Sequence, residues 1–160
     1  MSAGPEVGSK APDFTLPGLR LEGTEVERGS YTLSAELGHP VEIAFYPGDE
    51  TTVCTRQMCS YSSGLEEFTG LNATVWGISP QDLDSHEAFA RKHDLRQPLL
   101  ADVERTVVRA YGVGLGSSLR RSVFVVDAAG IVRYKHVALL GMTYRSTDTL
   151  VKALAALGTS

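Results

Sequence analysis

The sequence predicts an α/β fold in which a mixed β-sheet carries helices on both faces. The chain has 160 residues, and a domain takes about 150. Apolar segments of strand length alternate with amphipathic segments of helix length across short Pro/Gly turns, which indicates a largely parallel sheet. Two closely spaced strands near residues 122–137 add an antiparallel hairpin. We therefore expect residues 1–160 to form a single domain.

Five segments have the pattern of β-strands. Residues 74–79 contain a near-continuous apolar run, as in a parallel strand that is buried on both faces. The first segment is interrupted by Pro17-Gly18, which predicts two short strands or an N-terminal hairpin. The predicted strands are 14–21, 41–46, 74–79, 122–127 and 131–137.

Helical patterns fill the intervals between these strands. The predicted helices are 82–94, 103–111 and 147–157, with a further helix starting near Thr51 or Thr52. The helix at 103–111 has four apolar residues on one face: Val103, Val107, Val108 and Tyr111.

Composition and charge exclude several classes of function. Apolar residues make up 42% of the chain and the formal net charge is −4, so a nucleic acid or an anionic membrane is not expected as the main partner. The sequence has no apolar stretch long enough to cross a bilayer and no apolar leader at residues 1–10. With only two cysteines, Cys54 and Cys59, a disulfide scaffold is not expected, so we predict a cytoplasmic protein whose cysteine pair is catalytic.

The segment 45–68 carries the chemistry. A predicted strand ends at Tyr46, a loop rich in Pro, Gly, Asp and Thr follows, and Cys54 falls in the first turn of the next helix. The unpaired N–H groups and the positive dipole at a helix start stabilise a thiolate, which is the reactive form of cysteine. At about 100° per residue, Cys54 shares a buried stripe with four residues along the helix. These are Met58, Tyr61, Leu65 and Phe68.

The spacing of the cysteines limits how they could bond. In an α-helix, residues five positions apart have Cα atoms about 8.6 Å apart, whereas a disulfide rarely tolerates more than about 7 Å. A bond between Cys54 and Cys59 would therefore require the helix to unwind. A zinc site is not expected, because none of the four histidines has metal-ligand spacing to the pair. We assign no role to His39, His86, His93 or His136 and expect each to be exposed or hydrogen-bonded.

The motif Pro47-xxx-Thr51-xx-Cys54 resembles the active-site motif of the peroxiredoxins, and Cys59 resembles the resolving cysteine of their Q-type class. The resemblance extends over most of the chain. It includes GSKAPDFTL at 8–16, the strand and motif at 41–59, VWGISPQDLDSHEAFARKH at 75–93, PLLAD at 98–102 and RRSVFVVDAAGIV at 120–132. It implies a thioredoxin-like fold with an added N-terminal hairpin.

The resemblance also implies a role for each site residue. Cys54 would attack the peroxide and become a sulfenic acid, which Cys59 would resolve as an intramolecular disulfide. Thr51 would hydrogen-bond the peroxide, and Pro47 would shield the thiolate from water. Arg121, which precedes the Ser-x-Phe pattern, would stabilise the thiolate and orient the substrate. Its neighbour Arg120 is the competing assignment.

The chain departs from the Q-type pattern beside the reactive cysteine. Thr52-Val53 occupies positions that are often Pro-Gly in that class, which leaves the shape of the pocket and the preferred peroxide open. Asp49 and Glu50 precede the site, and their carboxylates would raise the pKa of Cys54 if they were close. We expect them to point to solvent, which is the usual position of such charges.

The sequence is compatible with three functions. The first is a peroxidase acting on hydrogen peroxide and organic hydroperoxides, recycled by thioredoxin or a similar dithiol, with no cofactor or metal and as a monomer or weak homodimer. The second is a thiol–disulfide oxidoreductase, which the CxxxxC spacing and Thr51 disfavour. The third is a peroxide-sensing module without turnover.

The spacing makes a testable prediction about conformation. The reduced protein is expected to be helical across Cys54 and Cys59, and the oxidised protein is expected to be locally unfolded there. Far-ultraviolet circular dichroism of the two redox states should show a loss of helix on oxidation. A crystal structure with the disulfide inside an unbroken helix would contradict this expectation.

Overall fold

A seven-stranded mixed sheet organises the chain in the computed structural model, which describes residues 4–49, 52–63, 73–115, 118–137 and 152. The strands of this sheet are β1 (Thr15–Glu22), β2 (Glu25–Thr32), β3 (Val41–Phe45), β4 (Thr74–Ser79), β5 (Leu99–Ala101), β8 (Ser122–Val126) and β9 (Val132–Val137). Their spatial order is β2-β1-β5-β4-β3-β8-β9. Two further strands, β6 (Gly114–Leu115) and β7 (Ser118–Leu119), pair separately with each other.

The pairing confirms the predicted mixed sheet. Strands β3, β4 and β5 run parallel, whereas β8 and β1 join this central group from its two sides in the antiparallel direction. The hairpin of β1 and β2 and the hairpin of β8 and β9 form the two edges. The carboxyl ends of the three parallel strands therefore lie together at one end of the sheet.

Helices cover both faces, as the sequence predicts. The helices are α1 (Thr52–Ser63), α2 (Leu83–His93) and α3 (Thr106–Ala110), and a short 3₁₀ helix spans Leu33–Glu36. Met58 and Tyr61 of α1 and Phe89 of α2 pack with one face of the sheet. Val107 and Val108 of α3 pack with the other face.

The predicted break in the first strand is wrong. β1 continues through Pro17 and Gly18, which pair with Ser30 and Gly29 of β2. The turn lies instead between Glu22 and Glu25, where Gly23 adopts a positive φ of 63°. Gly18 is needed for packing rather than for turning, because a Cβ there would lie 2.8 Å from the ring of Tyr31. The N-terminal hairpin that the resemblance implies is nevertheless present, with β1 and β2 as its strands.

The predicted helix at 103–111 is shorter in the structure. A turn occupies the start of this segment, since the N–H of Arg105 donates to the carbonyl of Asp102, and Arg105 has a φ of 63°. Val103 is therefore 57% exposed and does not share the buried face of Val107 and Val108. The predicted helix at 147–157 lies outside the described residues apart from Lys152, which is helical.

Within the seven-stranded sheet, β2 and β5 were not among the predicted strands, and the two-residue strands β6 and β7 were not predicted either. β2 is largely exposed and polar, so it lacks an apolar pattern, and β5 has only three residues. In the described part of the chain, no helix is long and apolar enough to cross a membrane.

Glu42 places a carboxyl group inside the core. It lies on β3 between Val75 of β4 and Val125 of β8, and it is fully buried. Among the described residues, neither of its carboxyl oxygens has a hydrogen-bond partner. Burial raises the pKa of Glu42 to about 8, so this side chain is mostly protonated in the folded protein at neutral pH.

This burial predicts that stability decreases as the pH rises. Between about pH 4.5 and pH 8 the unfolded chain loses the Glu42 proton while the folded chain keeps it. The free energy of unfolding should therefore fall by up to about 1.4 kcal/mol per pH unit across this window. Urea denaturation of the wild type and of Glu42→Gln at several pH values measures this fall in the free energy of unfolding. The other titratable groups contribute equally to the two proteins, so the difference between their pH profiles reports Glu42. Parallel pH profiles would mean that the carboxyl group is hydrated in the native state.

Candidate active site

The register of β3 and β8 builds the site. Ser122, the first residue of β8, pairs with Phe45, the last residue of β3. Because these strands are antiparallel, Arg121 at the entry to β8 lies beside the exit of β3. The chain leaving β3 runs through Pro47 into α1, so the sheet brings Arg121 and the start of α1 to the same end.

Cys54 occupies the position in the backbone that the sequence predicts. Helix α1 begins at Thr52, which makes Cys54 its third residue and places it in the first turn. Pro47 is partly buried in the loop that follows β3. The side chain of Cys54 and all of Thr51 and Glu50 lie outside the described residues.

Arg121 is tied to α1 by a buried hydrogen bond. Its side chain is almost completely enclosed, with 3% of the residue exposed. Its Nη1 donates to Oε1 of Gln57 at 2.6 Å, and Nε2 of Gln57 donates to the hydroxyl of Tyr61 at 3.1 Å. The neighbouring Arg120 is partly exposed, and its backbone N–H donates to the carbonyl of Val113. The geometry therefore favours Arg121 over Arg120 as the arginine of the site.

Gln57 is a site residue that the sequence reasoning missed. It lies three positions after Cys54, so it projects near the same face of α1, and it is fully buried. A polar residue on an otherwise apolar helical stripe was the available signal. Since its Oε1 accepts from the guanidinium, Gln57 holds Arg121 in place while adding no negative charge.

Cys59 is partly buried in the same helix and is a free thiol. It packs against the core cluster that contains Met58 and Tyr61. Burial raises the pKa of the Cys59 thiol, so it is protonated at neutral pH while the helix is folded. Because α1 is continuous from Thr52 to Ser63, the two cysteines stand on one unbroken helix.

The loop between α2 and β5 is hydrogen-bonded to the second half of α1. Nε2 of Gln97 donates to the carbonyl of Met58 at 3.0 Å, and the backbone N–H of Arg96 donates to Oγ of Ser62 at 3.0 Å. Gln97 is 1% exposed, and its Oε1 has no hydrogen-bond partner among the described residues. Met58 lies between the two cysteines, so unwinding that segment must break the bond to Gln97.

The expectation that Asp49 points to solvent is wrong. Asp49 is buried, and its carboxylate turns toward the start of α2, where it meets the ring of His86 at 2.7 Å. Tyr46 and Ser85 donate to the same carboxylate, each at 2.8 Å. His86 is fully buried and hydrogen-bonded, as expected of a histidine to which the sequence gives no role.

Comparison with known proteins decides the family. A model described as the AhpC/TSA family matches residues 7–135. The chain belongs to the AhpC/TSA family. This result confirms the resemblance to peroxiredoxins that the motif and its flanking segments indicate.

The chain is also similar to individual proteins that are named as peroxiredoxins. It is 37% identical over 130 residues to the chloroplastic peroxiredoxin Q of Oryza sativa subsp. japonica, a match that covers 79% of this chain and 57% of the relative. The chain thus spans little more than half the length of that curated relative.

Solved structures of peroxiredoxins superpose on most of the chain. The reduced 2-Cys peroxiredoxin of Plasmodium vivax has a TM-score of 0.86 at 25% identity and covers 96% of both chains. A structure of peroxiredoxin Q from Xanthomonas campestris has a TM-score of 0.72 at 29% identity and covers 87% of this chain and 89% of the other. The predicted thioredoxin-like fold is confirmed by these superpositions.

The adjacent arginines provide a matched test of the site. Arg121→Gln should slow the oxidation of Cys54 by peroxide on the order of a hundredfold, because it removes a buried cation from the site where charge develops. Arg120→Gln should change this rate by less than about threefold, since a partly exposed charge contributes little. Competition with a haem peroxidase for limiting peroxide measures both rates. Equal losses in the two variants would contradict the assignment of Arg121.

Proposed function

We propose that this chain is a thiol-dependent peroxidase that reduces hydrogen peroxide and organic hydroperoxides at Cys54. The observation that carries the proposal is the buried hydrogen bond between Arg121 and Gln57. It fixes a guanidinium to the same helix whose first turn contains Cys54. A cation and a helix start together favour a thiolate, the form of cysteine that attacks peroxide.

The first step is a nucleophilic displacement on oxygen. The Cys54 thiolate attacks the terminal peroxide oxygen, the O–O bond breaks, and the leaving alkoxide or hydroxide takes up a proton. Cys54 becomes a sulfenic acid, and the peroxide is reduced to an alcohol or water. Arg121 and the backbone N–H of Cys54 stabilise the charge that develops in the transition state. Thr51 hydrogen-bonds the peroxide, and Pro47 limits the access of water to the thiolate.

The second step joins the two cysteines. The Cys59 sulfur attacks the sulfur of Cys54, the S–O bond breaks, and water leaves with formation of an intramolecular disulfide. Both residues lie in α1, so this step requires the helix to unwind and the contact between Gln97 and Met58 to break. Unwinding also exposes Cys59, which removes the burial that raises its pKa and so favours its thiolate.

Thioredoxin or a similar dithiol is the proposed reductant of this disulfide. An intramolecular disulfide needs no second subunit, which supports a monomer or weak homodimer. Retention of two free thiols between turnovers requires a reducing compartment, and the cytoplasm is the proposed location. Sedimentation analysis and cell fractionation test these two points directly.

The rate of the first oxidation tests the proposed activity. Folded protein treated with limiting hydrogen peroxide should react orders of magnitude faster than the same chain unfolded, and its intact mass should decrease by two hydrogens. If the folded and unfolded rates match, the site does not activate Cys54. A thiol–disulfide oxidoreductase, which would reduce disulfides without peroxide, or a sensor without turnover would then be the better assignment.

Two cysteine variants separate the roles of the two thiols. Cys54→Ser should abolish peroxide reduction, because it removes the nucleophile. Cys59→Ser should undergo the first oxidation at the normal rate and then stop at the sulfenic acid or oxidise further. Mass spectrometry after one equivalent of peroxide distinguishes these products. The same loss of the first step in both variants would show that the roles are not distinct.

A further inference from the structure

A buried polar cluster lies beneath the loop that leads from β3 to α1. Its centre is a pair formed by Asp49 and His86, whose side chains are 1% and 0% exposed. Asp49 lies three residues before the start of α1, and His86 lies in α2, which is fixed to the sheet through Phe89. The pair therefore connects the loop of the Pro47 motif to a separate, well-packed helix.

Three side chains converge on the carboxyl group of Asp49. Its Oδ1 accepts from the hydroxyl of Tyr46 at 2.8 Å, and its Oδ2 accepts from the hydroxyl of Ser85 at 2.8 Å. Nδ1 of His86 lies 2.7 Å from the same Oδ2. A buried carboxylate is stable only when its hydrogen-bonding capacity is used in this way.

The two ring nitrogens of His86 determine how many protons the pair holds. Nε2 lies 3.0 Å from the backbone carbonyl of Leu100, which can only accept, so Nε2 carries a proton. The contact between Nδ1 and Asp49 then needs a second proton, either on the ring or on the carboxyl group. Without that proton, two lone pairs would face each other at 2.7 Å and a net negative charge would remain buried.

The other elements around the pair complete its polar surroundings. From the connection between β4 and α2, Oε1 of Gln81 accepts from the backbone N–H of Asp49, and a Cβ at Gly48 would lie 3.1 Å from that same oxygen. Asp82 caps the start of α2 by accepting from the N–H of Ser85. Asp84 and Glu87 of α2 bind Arg28 at the surface. Tyr46, the residue after β3, contributes its hydroxyl, which lies 3.5 Å from Nδ1 of His86, and Leu100 of β5 contributes a backbone carbonyl.

We propose that Asp49 and His86 share one proton and act as a latch that positions the loop 46–49, and with it the start of α1, for the oxidation of Cys54. Both are positioning residues, because they act through the loop. The proposal rests on the role given to Cys54 above. It adds a second group whose protonation controls the first step.

The latch predicts a distinct pH dependence. Ionisation of Cys54 makes the first oxidation faster as the pH rises. Loss of the shared proton releases the loop, so it makes the same step slower at higher pH. The rate constant should therefore pass through a maximum and then fall, approaching about tenfold per pH unit beyond the midpoint.

Asp49→Asn is the decisive variant. An asparagine has the same shape, and its Nδ2 can donate to Nδ1 of a neutral His86 while Nε2 still donates to Leu100. The latch then holds without a shared proton, so the alkaline decrease should disappear. His86→Phe should lower the rate across the whole pH range, because it keeps the ring but removes both hydrogen bonds. Tyr46→Phe is the matched control: it removes one donor but leaves the shared proton, so it should retain the alkaline decrease.

The measurement is the rate constant for Cys54 oxidation against pH in the Cys59→Ser background, alongside alkylation of Cys54 by iodoacetamide. Alkylation reports the thiolate and should not decrease at alkaline pH. The proposal is overturned if Asp49→Asn keeps the decrease, if Tyr46→Phe alone removes it, or if alkylation decreases in parallel.

The nitrogen chemical shifts of the His86 ring provide a readout that does not depend on peroxide. In the wild type, the ring and Asp49 should together lose one proton over the pH range in which the rate constant decreases. The backbone NMR signals of Gly48 should shift over the same range. A neutral His86 beside an ionised Asp49 at neutral pH would refute the latch. Slow oxidation of Cys54 at every pH with this titration intact would instead refute the proposed peroxidase.

Discussion

The pairing of β8 with β3 is the constraint on which the site depends. It places Arg121 beside the loop that leaves β3, and Gln57 then connects the guanidinium to the helix that contains both cysteines. The sheet therefore fixes the backbone of Arg121, whereas the helix holds its guanidinium. Unwinding of α1 in the proposed cycle would leave the backbone of Arg121 in place but would break the hydrogen bond to Gln57.

Much of the fold could be predicted because the central strands are apolar runs that end at clear turns. The predicted bounds of β4 agree with the structure, and those of β3 and β8 differ by one residue. β2 was missed because its sequence is polar and its conformation comes from pairing with β1. Local sequence patterns do not contain information about a partner strand, so an exposed edge strand is the hardest element to predict.

The same limit explains which site residues were found. The position of Cys54 follows from a local pattern, the start of a helix, and Arg121 follows from a motif at the start of a strand. Gln57 and Asp49 derive their roles from partners that are 64 and 37 residues away in the sequence. Charged and amide side chains near a helix start are usually solvated, and only the folded arrangement shows that these two are enclosed.

The hydrogen bond from Gln97 to the carbonyl of Met58 has a consequence for timing. In the proposed cycle, the sulfenic acid on Cys54 has two fates: it is captured by Cys59 when α1 opens, or it meets a second peroxide while the helix is still closed. Each contact that keeps α1 closed lengthens the life of the sulfenic acid. Gln97 contributes one such contact from outside the helix. This single amide therefore helps to set the peroxide concentration at which capture gives way to irreversible oxidation.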